Sequence, residues 1–198
     1  MILEHLKDYS VVLASKSPRR QDLLKRMGVS FVCMTKETPE SYPPMPFDEV
    51  PEYLSLQKSR AFTDEELPDH YLLITADTVV IAAEEILGKP KDRADALRMM
   101  EILSGKTHHV VTGVTVRSKT KTKSFSVKTE VTFSRLDPEE MAYYVDQYQP
   151  YDKAGAYGIQ EWIGYIGISG INGSFYNVMG LPTRRLYQTL KNFGSGKP

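Results

Sequence analysis

What the chain lacks narrows the field first. It has a single cysteine, Cys33, so no disulfide can close within it, and a packed, reduced thiol is the expectation. Lysine plus arginine and aspartate plus glutamate stand at 25 each, so the formal net charge is zero and a general nucleic-acid binder is disfavoured. No apolar run approaches the roughly 20 residues that a membrane-spanning helix needs. Met1-Ile2-Leu3-Glu4-His5 also lacks the basic-then-apolar order of a secretory signal. Neither a Gly-Lys-Ser/Thr phosphate loop nor a dinucleotide fingerprint is present. The expectation is a soluble, cytoplasmic protein with neither membrane nor nucleic acid as partner.

Over its 198 residues the chain is 41% apolar, enough to bury a substantial core in one domain spanning 1–198. Val11-Val12-Leu13-Ala14 reads as a buried strand, and Pro18 to Met27 as a helix with Ser17 as cap and Gly28 as stop. Ser30 to Thr35 reads as a second strand, followed by a proline-rich loop from Lys36 to Phe47. Asp48 is expected to cap a helix reaching about Phe62. Tyr71 to Ala76 reads as a buried strand, continued after Asp77 by Thr78 to Ala82.

Beyond it, a helix is expected from near Asp92 to before Gly105. His108 to Val116 and Phe125 to Phe133 alternate as the arms of a long hairpin. Asp137-Pro138-Glu139-Glu140 opens a helix ending near Tyr148. Trp162 to Ile168 reads as a strand, Asn172-Gly173 as a turn, and Pro182 to Phe193 as the last helix. The expected class is α/β: a mixed twisted sheet with flanking helices, in two lobes around a cleft.

Two stretches raise a chemical question. Arg19 and Arg20 follow Ser15 and Ser17 into the first turn of a helix, where the dipole disfavours positive charge. An anion seated on the exposed N–H groups would resolve that conflict, and a solvated basic helix start is the plainer alternative. Asp77 lies between apolar strand segments, where a carboxylate must pair, bind a cation or meet water. It can ligate a divalent ion or accept a proton from water, or it can simply bond backbone at a strand end. Lys58 and Lys89, read singly, are surface residues. His108 and His109 are adjacent in a strand, face opposite sides, and cannot chelate one ion together.

Taken in order, the segments Ser15-Lys16-Ser17-Pro18-Arg19-Arg20, Gln57-Lys58, Ala76-Asp77-Thr78, Gly88-Lys89-Pro90, Ser104-Gly105, Thr112-Gly113-Val114, Asp152-Lys153-Ala154-Gly155-Ala156-Tyr157-Gly158-Ile159-Gln160 and Gly180-Leu181-Pro182 resemble the Maf family of nucleoside triphosphate pyrophosphatases. The resemblance runs from about residue 11 to residue 193 and implies a fold related to the inosine-triphosphate pyrophosphatases. It implies phosphate binding by Ser15, Arg20, Lys58 and Lys89, and Asp77 as the proton acceptor. A Mg²⁺ or Mn²⁺ ion would be held by Glu40 and Asp77. Glu40, in Glu37-Thr38-Pro39-Glu40, takes the place of the last acidic residue of a family loop in which Pro39 replaces another.

Base preference in the family is associated with the positions of Arg19, Thr78 and Gln160. The sequence Ala156 to Gln160 is similar to the branch acting on dTTP and UTP, whereas a branch preferring 7-methyl-GTP carries a serine–glutamate pair there. A glutamine amide offers both a donor and an acceptor, matching O4 and N3–H of uracil or thymine. The implied reaction yields a nucleoside monophosphate and pyrophosphate from canonical or modified pyrimidine nucleotides. A second reading, also carried by the resemblance, is a nucleotide-responsive regulator of septum formation and cell division acting through a protein partner. A homodimer is the expectation from the commonness of that form.

Overall fold

A computed structural model describes residues 3–193. Strand β1 (Ser10–Leu13) leads to helix α1 (Pro18–Arg26), the two-residue strand β2 (Val32–Cys33) and helix α2 (Val50–Arg60). The long strand β3 (Tyr71–Ala82) turns back into β4 (Glu85–Leu87), followed by α3 (Arg93–Leu103). Two long strands, β5 (Thr107–Arg117) and β6 (Thr122–Phe133), precede α4 (Pro138–Tyr148). Then come α5 (Trp162–Gly167), β7 (Ile168–Asn172), α6 (Phe175–Val178) and α7 (Thr183–Lys191).

The strands form one sheet in the order β2-β1-β3-β5-β6-β7, with β4 paired to β3. β1 pairs parallel with β2 and β3, while β4 and β7 pair antiparallel with β3 and β6. The expected α/β class with a mixed sheet is therefore present. Tyr71 to Asp77 are buried without alternation, as a strand covered on both faces requires.

The chain divides into two compact units. The first comprises the residues up to Asp77, Thr112–Val127 and the residues from Gly180 onward; the second comprises Thr78–Val111 and Lys128–Met179. In the first unit Val12, Phe62, Leu67, Tyr71 and Leu73 form an apolar cluster. In the second, Val80, Met100, Leu103, Val131, Phe133, Tyr144 and Ile163 are among the residues that close a larger one.

Helix α2 meets its neighbours through small residues instead of a broad apolar stripe. Thr75 Oγ1 donates to the Ser55 carbonyl at 2.7 Å, and Ser55 Oγ lies 2.9 Å from Thr115 Oγ1. A Cβ on Gly113 would land inside the backbone of Pro51 and Glu52, so only glycine lets β5 approach the start of this helix. The helix begins at Val50 after Glu49, not at an Asp48 cap.

Several expectations are corrected. Trp162–Gly167 is a helix, not a strand, and the strand begins only at Ile168. Its β-branched and aromatic residues suggested extension, but Gly164 lets the turn close against the Ile159 carbonyl, while Ile163 is buried and Tyr165 is 83% exposed. Strand β2 covers two residues instead of Ser30 to Thr35, and Cys33 on this edge is exposed, not packed. The β3–β4 turn uses Ala83 and Glu84, both at positive φ (48° and 60°), a hairpin geometry without the usual Asn-Gly signal. Strand β3 also runs unbroken through Asp77, which removes the strand-end reading of that residue.

Candidate active site

In the first unit the start of α1 is built as its residue order predicts. Ser17 caps the helix, its Oγ accepting from the Arg20 N–H at 3.4 Å, and Ser15 Oγ accepts from the Ser17 N–H at 3.2 Å. Pro18 occupies the first turn, where a missing N–H costs nothing. Arg20 Nε donates to the Gly180 carbonyl at 2.8 Å, which ties the guanidinium to the Gly180-Leu181-Pro182 turn. Gly180 has a φ of 106°, a backbone that suits glycine. Burial lowers the Arg20 pKa, Asp77 and Glu40 counter it, and neighbouring Arg19 reinforces it. Arg19, Glu40 and Asp77 thus all lie within electrostatic reach of Arg20.

Lys58 completes this cluster. Its Nζ donates to Asp77 Oδ1 in a short ion pair and to Glu40 Oε1 at 3.0 Å. Asp77 is only 8% exposed, so its carboxylate is taken from water and held by an ammonium. Glu37 instead points into solvent, where it meets Lys16 at 3.5 Å with its side chain 93% exposed. Of the two glutamates in that loop, Glu40 is the one brought to Asp77.

In the second unit the stretch Lys153 to Glu161 forms a tight, buried loop. Gly155, at a φ of 69°, donates its N–H to the Gly88 carbonyl at 3.0 Å, joining the loop to Gly88-Lys89-Pro90. A Cβ there would press on Val80 at 2.9 Å. Lys89 is exposed and Thr78 is partly buried. Gln160 Oε1 is buried and has no hydrogen-bond partner among the described residues. A buried amide oxygen without a donor is costly, and a ligand N–H is the natural way to satisfy it.

Lys153 stands in the glycine-rich motif, and its sequence position alone assigns it no task. Its side chain is buried between Asp152 (2.6 Å) and Glu161 (3.1 Å). Glu161 also accepts a short hydrogen bond from the Tyr144 hydroxyl, which in turn accepts from the Gly158 N–H at 2.9 Å. A lysine inside a glycine-rich apolar stretch is the one signal that could have flagged this network.

Among the described residues no group of three or more His, Cys, Asp or Glu side chains is arranged to hold a metal ion. The pair Glu40 and Asp77 nevertheless offers hard carboxylate oxygens of the kind a divalent cation takes. Both carboxylates already converge on one positive group, the Lys58 ammonium.

Comparison with known proteins places these features in a family. The model of the Maf-like protein family matches residues 10–193. The chain is 50% identical to a protein of Parabacteroides distasonis named dTTP/UTP pyrophosphatase, across 97% of this chain and 100% of that one. It is also 50% identical to the protein of that name in Bacteroides thetaiotaomicron, over 96% of this chain and 99% of that one. Among solved structures, the Ham1 protein of Staphylococcus aureus shares the fold with a TM-score of 0.51 at 15% identity, covering 96% of this chain and 100% of that one.

Proposed function

We propose that this chain, which belongs to the Maf-like protein family, is a pyrophosphatase that converts dTTP and UTP into the monophosphate and pyrophosphate. The full-length relatives of that name support the substrate class. The observation that carries the chemistry is Asp77, a buried carboxylate in an unbroken strand, held at Oδ1 by Lys58. We assign its second oxygen, Oδ2, to the proton of the water that attacks the α-phosphorus. General-base assistance of this kind contributes about 10²- to 10⁴-fold in rate.

The leaving pyrophosphate gathers negative charge, and fixed positive groups offset it. In this reading Ser15, Arg20 and Lys58 of the first unit and Lys89 of the second bind phosphate oxygens. Arg20 is held ready by its bond to the Gly180 carbonyl. A divalent cation, Mg²⁺ or Mn²⁺, would be held by Glu40 and Asp77 and, when bound, would neutralise phosphate charge. Base preference falls to Arg19, Thr78 and Gln160, with the Gln160 Oε1 acceptor matched to a ring N–H. N3–H of thymine or uracil supplies that donor, and unprotonated cytosine N3 does not. Damaged or modified pyrimidine nucleotides with the same edge belong to the same substrate class.

A regulator acting only through a protein partner would have no use for a buried base at Asp77, so the enzyme reading is preferred. The proposed setting is the cytoplasm and the proposed assembly a homodimer, the commonest closed form of soluble oligomers. The test is a panel of canonical and modified triphosphates with the products separated. Efficient formation of monophosphate and pyrophosphate from dTTP and UTP is expected. Turnover confined to purine triphosphates would reject the base assignment.

A further inference from the structure

We propose that Tyr144, Glu161 and Lys153 form a positioning clamp that locks the loop 153–161 and thereby fixes the Gln160 amide for base reading. This inference rests on the pyrimidine reading above and adds three positioning residues to it, all within the second unit.

The clamp closes the loop on itself through one ion pair and two hydrogen bonds. At one end Lys153 Nζ forms an ion pair with Glu161 Oε1 at 3.1 Å, joining the first residue of the loop to the last. Next the Tyr144 hydroxyl donates to Glu161 Oε2, so both carboxylate oxygens are engaged. Finally the Gly158 N–H donates to the Tyr144 oxygen at 2.9 Å, holding the middle of the loop. Tyr144 is completely buried in the core of its unit, on helix α4, so the loop is anchored to the packed core. Burial, first, and the bond to Glu161, second, push its phenol pKa upward, which keeps it a neutral donor.

Gly158 is where the clamp meets the reading residue. A Cβ there would lie 2.8 Å from Glu161 Cδ and 3.0 Å from Gln160 Nε2, so the amide sits against a backbone that the clamp holds. Lys153 Nζ is engaged by Asp152 and Glu161 and the Tyr144 hydroxyl by Glu161, while Gln160 Oε1 is buried without a hydrogen-bond partner among the described residues. An acceptor kept unsatisfied and held by its neighbours is arranged for a donor on a ligand. Lys153 is buried and Glu161 partly so, and removing one partner of such a pair leaves the other charge uncompensated. Tyr144, Glu161 and Lys153 touch no reacting atom in this scheme.

The variants are Tyr144→Phe, which removes one oxygen from the clamp, and Glu161→Gln, which keeps the shape and removes the charge. Each is assayed for KM and kcat with dTTP and UTP, and for inhibition by inorganic tripolyphosphate, which has no base. The clamp predicts that KM for dTTP rises about tenfold in either variant, with kcat within about twofold and tripolyphosphate inhibition unchanged. Combining the two substitutions is expected to add little, since both break one chain of bonds. Glu161→Asp, with one methylene fewer and the charge retained, is expected to recover part of the lost affinity.

An unchanged KM for dTTP would overturn the clamp. So would a parallel weakening of dTTP and tripolyphosphate, which is the signature of general disruption. If Tyr144→Phe lowers the melting temperature sharply, Glu161→Gln alone decides between these outcomes. A wild type that prefers purine triphosphates would reject the pyrimidine reading. In that case the same comparison of its preferred nucleotide with tripolyphosphate still accepts or rejects the clamp.

Discussion

His108 should make the folded protein sensitive to mild acid, and the size of the effect follows from its surroundings. The imidazole is 2% exposed, lies 2.8 Å from the Tyr157 hydroxyl through Nε2, and packs beside Phe133 with ring centroids 5.6 Å apart. Its Nδ1 is buried with no hydrogen-bond partner among the described residues. Burial, with a smaller contribution from the charge of His109, lowers the His108 pKa from 6.5 to about 4. Between those values the unfolded chain holds the proton and the folded chain does not, so stability rises with pH through this window. The contribution is complete above about pH 6.5 and lost as the pH falls toward 4.

Each pKa unit corresponds to about 1.4 kcal/mol, which gives the folded state a few kcal/mol at most from this residue. For a chain of this length that amounts to roughly 6–10 °C in melting temperature. His108→Gln retains a polar group and abolishes the titration. Melting curves of both proteins from pH 7 to pH 4.5 measure the effect, since the acidic residues common to both cancel in the difference. The wild type should lose several degrees more than the variant across that range. Parallel pH profiles would refute the assignment of a buried, neutral imidazole.

Three further outcomes follow. Asp77→Asn keeps the shape and removes the proton acceptor, so nucleotide binding measured by calorimetry should persist while turnover falls at least 10²-fold. Arg19→Ala and Lys89→Ala should each weaken use of the triphosphate in steady-state assays with little change in melting temperature, and unchanged constants would return both residues to a solvated surface. Gly113→Ala forces a methyl into the backbone of Pro51 and Glu52, so it should cost about 1–3 kcal/mol or more by denaturant unfolding. The same substitution displaces α2, and with it Lys58, so activity should fall with stability.

Much of the fold was legible because local signals agreed with tertiary demands. Ser17-Pro18 and Asp137-Pro138 mark helix starts with capping chemistry, and both helices begin there. The strand bearing Asp77 is legible as two apolar runs, but the partner of its carboxylate, Lys58 on α2, is a tertiary contact. Trp162 to Gly167 was misread because β-branched residues and glycines favour extension locally, while the close approach of Gly164 to Ile159 is a tertiary fact. Cys33 has no basic partner nearby in sequence, which predicts a packed thiol, yet it lies on an exposed edge. At the site, order along the chain brought Asp77, Lys58 and Glu40 to notice together. The Tyr144–Glu161–Lys153 chain escaped because Tyr144 lies 17 residues from Glu161 and on another element.

The most direct test of the reaction follows the oxygen of the attacking water. Hydrolysis of dTTP in water enriched in ¹⁸O, read by mass spectrometry of the products, reports which phosphorus is attacked. If Asp77 activates water against the α-phosphorus, one label enters each thymidine monophosphate and none enters pyrophosphate. Label in pyrophosphate, or release of diphosphate nucleotide with labelled orthophosphate, would contradict the account.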